Sequence, residues 1–132
     1  MNPLAVPLMV ATGGALGALG ALGRWALAMA INFHVQSIFP WATLAVNLLG
    51  SVAFGLIYSW SLVQIQWQDP IRILFLTGFM GAFTTFSTFS FETFKLLEHG
   101  KFAVAALNVL ASVALCVLGC WAGSALGKQI FN

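Results

Sequence analysis

Long charge-free stretches alternate with short polar connections along this chain. Leu4 to Gly23 carries no charge and runs into Arg24, and Trp41 to Val63 carries none. Arg72 and Glu92 bracket a third stretch, and Phe102 to Gly127 runs uncharged to Lys128. Each is long enough to cross hydrocarbon, which takes about 20 largely apolar residues. With the first helix continuing past Arg24 and the third past Glu92, the pattern predicts spans over about 4–31, 41–63, 71–97 and 102–127. The connections fall near Asn32–Pro40, Gln64–Pro70 and Glu98–Lys101. The expected fold is an all-α membrane protein, with residues 1–132 forming a single four-helix transmembrane domain. No basic residue precedes the first apolar stretch, so it does not read as a cleaved signal peptide.

Aromatic and proline positions agree with these boundaries. Trp25, Trp41, Trp60, Trp67 and Trp121 fall near expected span ends, where amphipathic rings favour the interface. Pro40 and Pro70 stand just before helices, where a missing N–H costs little. Composition removes whole classes of function. The chain is 61% hydrophobic and 6% charged, against roughly 45–50% and about 25% in soluble domains. Eight charged side chains cannot cover a water-facing surface, which excludes a soluble enzyme, a nucleic-acid binder and a disordered tail. A net charge of +2 is too small to point to a polyanion. Cys116 and Cys120, one turn apart in an apolar run, give neither a disulfide framework nor a metal site and read as core packing. Asp69, Glu98, His34 and His99 read as solvated connection residues. No acid, base and nucleophile assemble anywhere, so the chain does not read as an enzyme.

Orientation is weakly specified. Four spans place both termini on one side of the bilayer, with Arg72 and Lys128, while Arg24, Lys95 and Lys101 belong to the other. Two against three is almost no bias under the positive-inside rule. The chain therefore inserts weakly oriented or inserts both ways, and two opposed copies would form a symmetric antiparallel dimer. A four-helix chain is also small for enclosing a pathway. Gly14, Gly17, Gly20 and Gly23 recur every three residues in the first span, Gly13 and Gly17 make a GxxxG pair, and Gly119, Gly123 and Gly127 recur every four in the last. Such stripes let helix backbones approach closely in lipid, within one chain or across a dimer seam.

The third span carries the chemistry. Gly78 to Ser90 reads GFMGAFTTFSTFS, crowding Thr84, Thr85, Ser87, Thr88 and Ser90 with Phe79, Phe83, Phe86 and Phe89. Isolated hydroxyls bond back to their own helix, but five in seven positions behind Gly78 and Gly81 favour a broken helix. Unpaired backbone at membrane depth survives only when buried in protein or lining a cavity, and broken helices are where transporters bind ions. The competing reading is a polar packing seam. Phe86 and Phe89, three residues apart, share a face; they pack, or they turn their partially positive edges toward an anion. Asn47 is the strongly polar side chain of the second span, a cross-helix bond or an anion donor. Asn108 and Ser112 extend a polar track or join helices, and Glu92 reads as a vestibule residue.

GFMGAFTTFSTFS, Asn47 in TLAVNLLGS and Arg24 in LGRW closely resemble the Fluc (CrcB) family of bacterial fluoride channels, over nearly the whole chain. The resemblance implies a third helix broken near the membrane centre and an antiparallel, dual-topology homodimer. It implies a structural sodium ion on the dimer axis, held by backbone carbonyls that fall here on Gly81 and Thr84. It places Asn47, Phe86, Phe89, Ser87, Thr88 and Ser90 along a fluoride pathway and Arg24 near a vestibule; the residue reading adds Ser112 to that pathway and Glu92 to the vestibule. The implied activity is passive, selective export of cytoplasmic fluoride through the bacterial inner membrane, protecting against fluoride toxicity. The chain departs from the family pattern at Ala82, often glycine, and at Phe91, commonly alanine; Asn108 occupies a position that is aromatic in some relatives.

Two other readings compete. A small dual-topology multidrug or cation exporter shares the length and the four spans, but proton-coupled export generally uses a membrane-embedded carboxylate, and Glu92 stands near a span end. A structural membrane protein would need the glycine stripes but not five clustered hydroxyls.

Overall fold

In a computed structural model the described residues are 5–63 and 74–131. They form α1 (Ala5–His34), α2 (Trp41–Val63), a π-wound segment α3 (Leu74–Met80), the short α4 (Gly81–Phe83), α5 (Phe86–Glu98) and α6 (Phe102–Phe131). Four stretches, Val6–His34, Trp41–Leu62, Leu74–Glu98 and Phe102–Phe131, are long and apolar enough to cross a membrane. The protein is a four-span, multi-pass membrane protein. Trp67, Asp69, Pro70, Arg72, the Gln64–Pro70 connection and the expected starts of the first and third spans lie outside the described residues.

Two ends differ from the expected boundaries. α1 continues through Asn32 and Phe33 to His34, so His34 closes a helix instead of lying in a connection. Nothing in that sequence stops a helix until the Ser37–Pro40 turn, where the Phe39 N–H donates to Ser37 Oγ at 3.1 Å. α6 likewise passes Lys128 and ends at Phe131; a lysine in the last turn suits the negative end of the helix dipole. At 30 residues each, these helices are about 45 Å long, beyond the roughly 30 Å hydrocarbon core, so they tilt or project from it.

The α5–α6 turn is closed by its own backbone. The Gly100 N–H donates to Leu97 O at 2.9 Å and the Lys101 N–H to Leu96 O at 2.8 Å, the paired bonds of a Schellman cap. Gly100 adopts φ 70°, a left-handed conformation that only glycine enters without strain.

Glycines set the packing. α2 and α6 share the most extensive interface. A Cβ at Gly123 would collide with the Val52 carbonyl, one at Gly55 with the Cys120 carbonyl, and one at Gly127 would come within 2.7 Å of Ser59 Cβ. The glycine stripe of the last span is thus an intramolecular seam, tied by Ser59 Oγ donating to Ser124 O at 2.9 Å. α1 packs on α3 and α4. There a Cβ at Gly20 would meet the Phe79 carbonyl, whereas one at Gly14 would meet nothing within 4 Å among the described residues. α5 leans on α6, and α2 touches every other part of the bundle.

Candidate functional site

Thr84 (φ −81°, ψ 159°) and Thr85 (φ −148°, ψ 113°) are extended, so helical winding stops after Phe83 and resumes at Phe86. The two threonine side chains at this interruption both have partners. Thr85 caps α5, its Oγ1 accepting from the Thr88 N–H at 3.2 Å and lying 3.0 Å from Thr88 Oγ1 and 3.2 Å from Ser87 Oγ. A threonine oxygen is well suited to such a cap. Thr84 Oγ1 donates back to Met80 O at 3.1 Å.

Asn47 holds Thr85 from α2. Its Oδ1 accepts the Thr85 N–H at 2.7 Å and its Nδ2 donates to Thr85 O at 3.1 Å. One amide thereby replaces the helical acceptor that the Thr85 N–H loses at the interruption, adds a donor to the Thr85 carbonyl, and retains a second N–H. The α2 face beside it is cut to fit, because a Cβ at Gly50 would strike the Thr84 methyl. Asn47 thus serves both readings made from sequence: it bonds across helices and still carries a donor.

Carbonyls are released in the same place. The helical donors for Gly81 O and Thr84 O would be the Thr85 and Thr88 N–H groups, which point to Asn47 Oδ1 and Thr85 Oγ1. Among the described residues no three His, Cys, Asp or Glu side chains converge as metal ligands. A hard cation here would be held by backbone oxygens, and Gly81 and Thr84 supply such a pair.

Beside the interruption lies an open groove of about 390 Å³. It is lined by Asn47, Gly50 and Ser51 of α2, by Thr84, Thr85, Phe86 and Phe89 of the third span, and by Ser112, Cys116 and Cys120 of α6. The Phe86 and Phe89 rings stand 5.5 Å apart, inclined at 43°, with Phe86 78% exposed. Behind Phe89 runs a polar chain: Ser112 Oγ donates to Asn108 Oδ1 (3.4 Å), Asn108 Nδ2 to Thr93 Oγ1 (2.9 Å), and Thr93 Oγ1 to Phe89 O (2.7 Å). Asn108 is almost fully buried, so this chain fixes α5 against α6.

The groove therefore brings together Asn47, Thr84, Phe86, Phe89 and Ser112. Ser87 and Thr88 stand in the Thr85 cap, and the Ser90 hydroxyl donates to Phe86 O at 2.9 Å. Arg24 stays on α1, half-exposed, and lines no part of this groove. Glu92 borders a second cavity of about 470 Å³ at the end of α5, with Trp41, Lys95, His99 and Lys101. Thr43 Oγ1 donates to Glu92 Oε1 at 2.9 Å, while Oε2 is enclosed without a hydrogen-bond partner among the described residues. Lys95 pairs with Glu98 at 2.7 Å and lies 5.8 Å from the Phe91 ring centre. The sequence reading did not single out Thr43, Thr93 or the groove position of the cysteines. Thr85 was readable as a hydroxyl immediately preceding a phenylalanine in a crowded row, the position of a helix cap.

Residues 8–124 match the family described as CrcB-like protein, Camphor Resistance (CrcB). A fluoride-specific ion channel FluC from Geobacter sulfurreducens is 49% identical over 114 residues, covering 86% of this chain and 92% of the relative. A protein of the same name from Magnetococcus marinus is 44% identical over 114 residues, covering 86% and 93%. Another from Coxiella burnetii is 42% identical over 112 residues, covering 84% and 90%.

Proposed function

The chain belongs to the CrcB-like family, and on that footing we propose that it is a fluoride-selective channel, passively exporting fluoride that has accumulated in the cytoplasm. It is a channel protein and not an enzyme. The observation that carries the proposal is the groove at the interrupted third span, where an amide, hydroxyls and two phenylalanine rings converge. Fluoride holds its water tightly, so a pathway must replace that shell. The remaining Asn47 N–H and the positive edges of Phe86 and Phe89 are donors of the right kind, and Ser87, Thr88, Ser90 and Ser112 would join them by turning hydroxyls that here bond within the protein. Neutral dipoles contact an anion without trapping it, as a lysine in the groove would. A larger chloride ion is disfavoured by size and poorer coordination. Arg24 and Glu92 belong to the approaches.

The working unit is an antiparallel homodimer. The groove of one chain is open along one side, and an inverted second copy would close it, consistent with the weak charge bias. At the twofold axis the Gly81 and Thr84 carbonyls would hold a structural sodium ion, which supplies a rigid joint and positive potential. The location is the bacterial inner membrane, and the partners are fluoride, lipid and a second copy. The exporter alternative would rest on Glu92, but that carboxylate is engaged by Thr43 and borders the other cavity.

Fluoride efflux from liposomes holding the purified protein, followed with a fluoride electrode and repeated with chloride, is the test. Fast fluoride loss with little chloride movement is expected. A folded dimer passing no fluoride, or passing both ions equally, would overturn the reading.

A further inference from the structure

Positions 108, 112, 116, 120 and 124 recur every four residues on α6, each turned by about 40° from the one before, so the row winds around the helix and neighbouring members share a face. Asn108, Ser112 and Ser124 are engaged with Thr93, Asn108 and Ser59. The members between them, Cys116 and Cys120, are free thiols, half-exposed, and both line the groove that holds Asn47, Phe86 and Phe89. They are not the sealed core residues their apolar surroundings suggested.

We propose that Cys116 and Cys120 form a two-sulfur site for a soft metal ion of linear, two-coordinate preference, and that an ion held there obstructs the groove. Thiolates select soft ions over hard ones. Side chains four apart on a helix have β-carbons about 5–6 Å apart, so two sulfurs on one face flank a single ion. Because no three potential ligands converge among the described residues, a tetrahedral zinc site, which takes four ligands, is not available; a linear ion needs only two. An ion between these sulfurs stands a turn beyond Ser112, in the groove that Phe86 and Phe89 also line. With mercuric chloride, each sulfur gives its proton to water and forms one bond to mercury, and both chlorides leave; no oxidation state changes. The reagent is neutral, so it reaches the groove through lipid or water.

The obstruction half of this inference rests on the channel reading, so binding and flux are read separately. Binding is measured on the whole protein in detergent, by mercury per chain and by thiols left for a fluorescent maleimide. One mercury per chain with both thiols masked is expected. Cys116→Ser and Cys120→Ser should each retain mercury at least tenfold more weakly against a competing monothiol. If serine impairs folding, Cys116→Ala and Cys120→Ala make the same comparison. Two mercury ions per chain, none, or single variants that retain it as well as the parent would overturn the site. In liposomes, mercuric chloride should lower fluoride efflux at least tenfold in the parent and leave the double variant unaffected. One bound mercury with undiminished efflux would overturn the obstruction. Absence of fluoride efflux before any mercury is added would instead count against the channel reading, with the binding result still standing.

Discussion

Replacing Asn47 with leucine tests whether one side chain holds the interrupted span together. The substitution keeps the bulk of the side chain and removes both bonds to Thr85, the acceptor at 2.7 Å and the donor at 3.1 Å. The two losses are unequal. The Thr85 N–H has no helical partner to return to, because the backbone there is extended, and Thr85 is only 7% exposed. An orphaned buried donor costs about 1–3 kcal/mol. The Thr85 carbonyl is at a cap, where the carbonyl already accepts the first bond of the following helix, so it loses one bond of about 0.5–1.5 kcal/mol. The sum is about 1.5–4.5 kcal/mol, roughly a factor of ten or more in the unfolding equilibrium. Reversible unfolding in mixed detergent measures the loss, and hydrogen exchange at the Thr85 amide locates it. A loss under about 0.5 kcal/mol with Thr85 exchange unchanged would refute the reasoning.

Gly123→Ala places a methyl on the Val52 carbonyl and should destabilise the bundle by about 1–3 kcal/mol, while Gly14→Ala, which meets nothing within 4 Å among the described residues, should be neutral or slightly stabilising. Equal effects in the same unfolding titration would show that the α2–α6 seam is not as close as drawn. Phe86→Leu and Phe89→Leu should each leave a folded protein with severely reduced fluoride efflux; parental rates in either would mean that the ring only packs. Protein purified into sodium-free buffer should retain sodium by elemental analysis, and its complete removal with undiminished efflux would contradict a structural ion.

Charge gaps made the four spans legible, because eight charged residues in 132 leave few places for a helix to meet water. Glycine spacing announced close approach, but not its partner. That Gly123 meets Val52 while Gly14 meets nothing depends on helix rotation, which residue types do not encode. The hydroxyl row marked where the third span is unusual. What holds it was illegible, since Asn47 and Thr85 are 38 positions apart, and Thr43 and Glu92 are 49 apart. The helix ends at His34 and Phe131 were misjudged for a local reason: Asn32, His34 and Lys128 look like connection residues but do not break a helix. The cysteines were misjudged because an apolar neighbourhood in sequence does not distinguish a core from a groove wall.

The wide winding of Leu74–Met80 adds a consequence for how one span serves two neighbours. A π-turn carries an extra residue relative to an α-turn, and each residue rotates a helix by about 100°. Upstream of the interruption, Gly78 meets Gly13 and Leu16 of α1; downstream, Thr85 is held by α2. The π-turn acts as a phase shifter between those two appointments, letting each half of the span face its own neighbour. Deleting one residue from it would leave a regular helix whose α1-facing side is turned by about 100° from Thr85, so length in this segment sets angle and not merely reach.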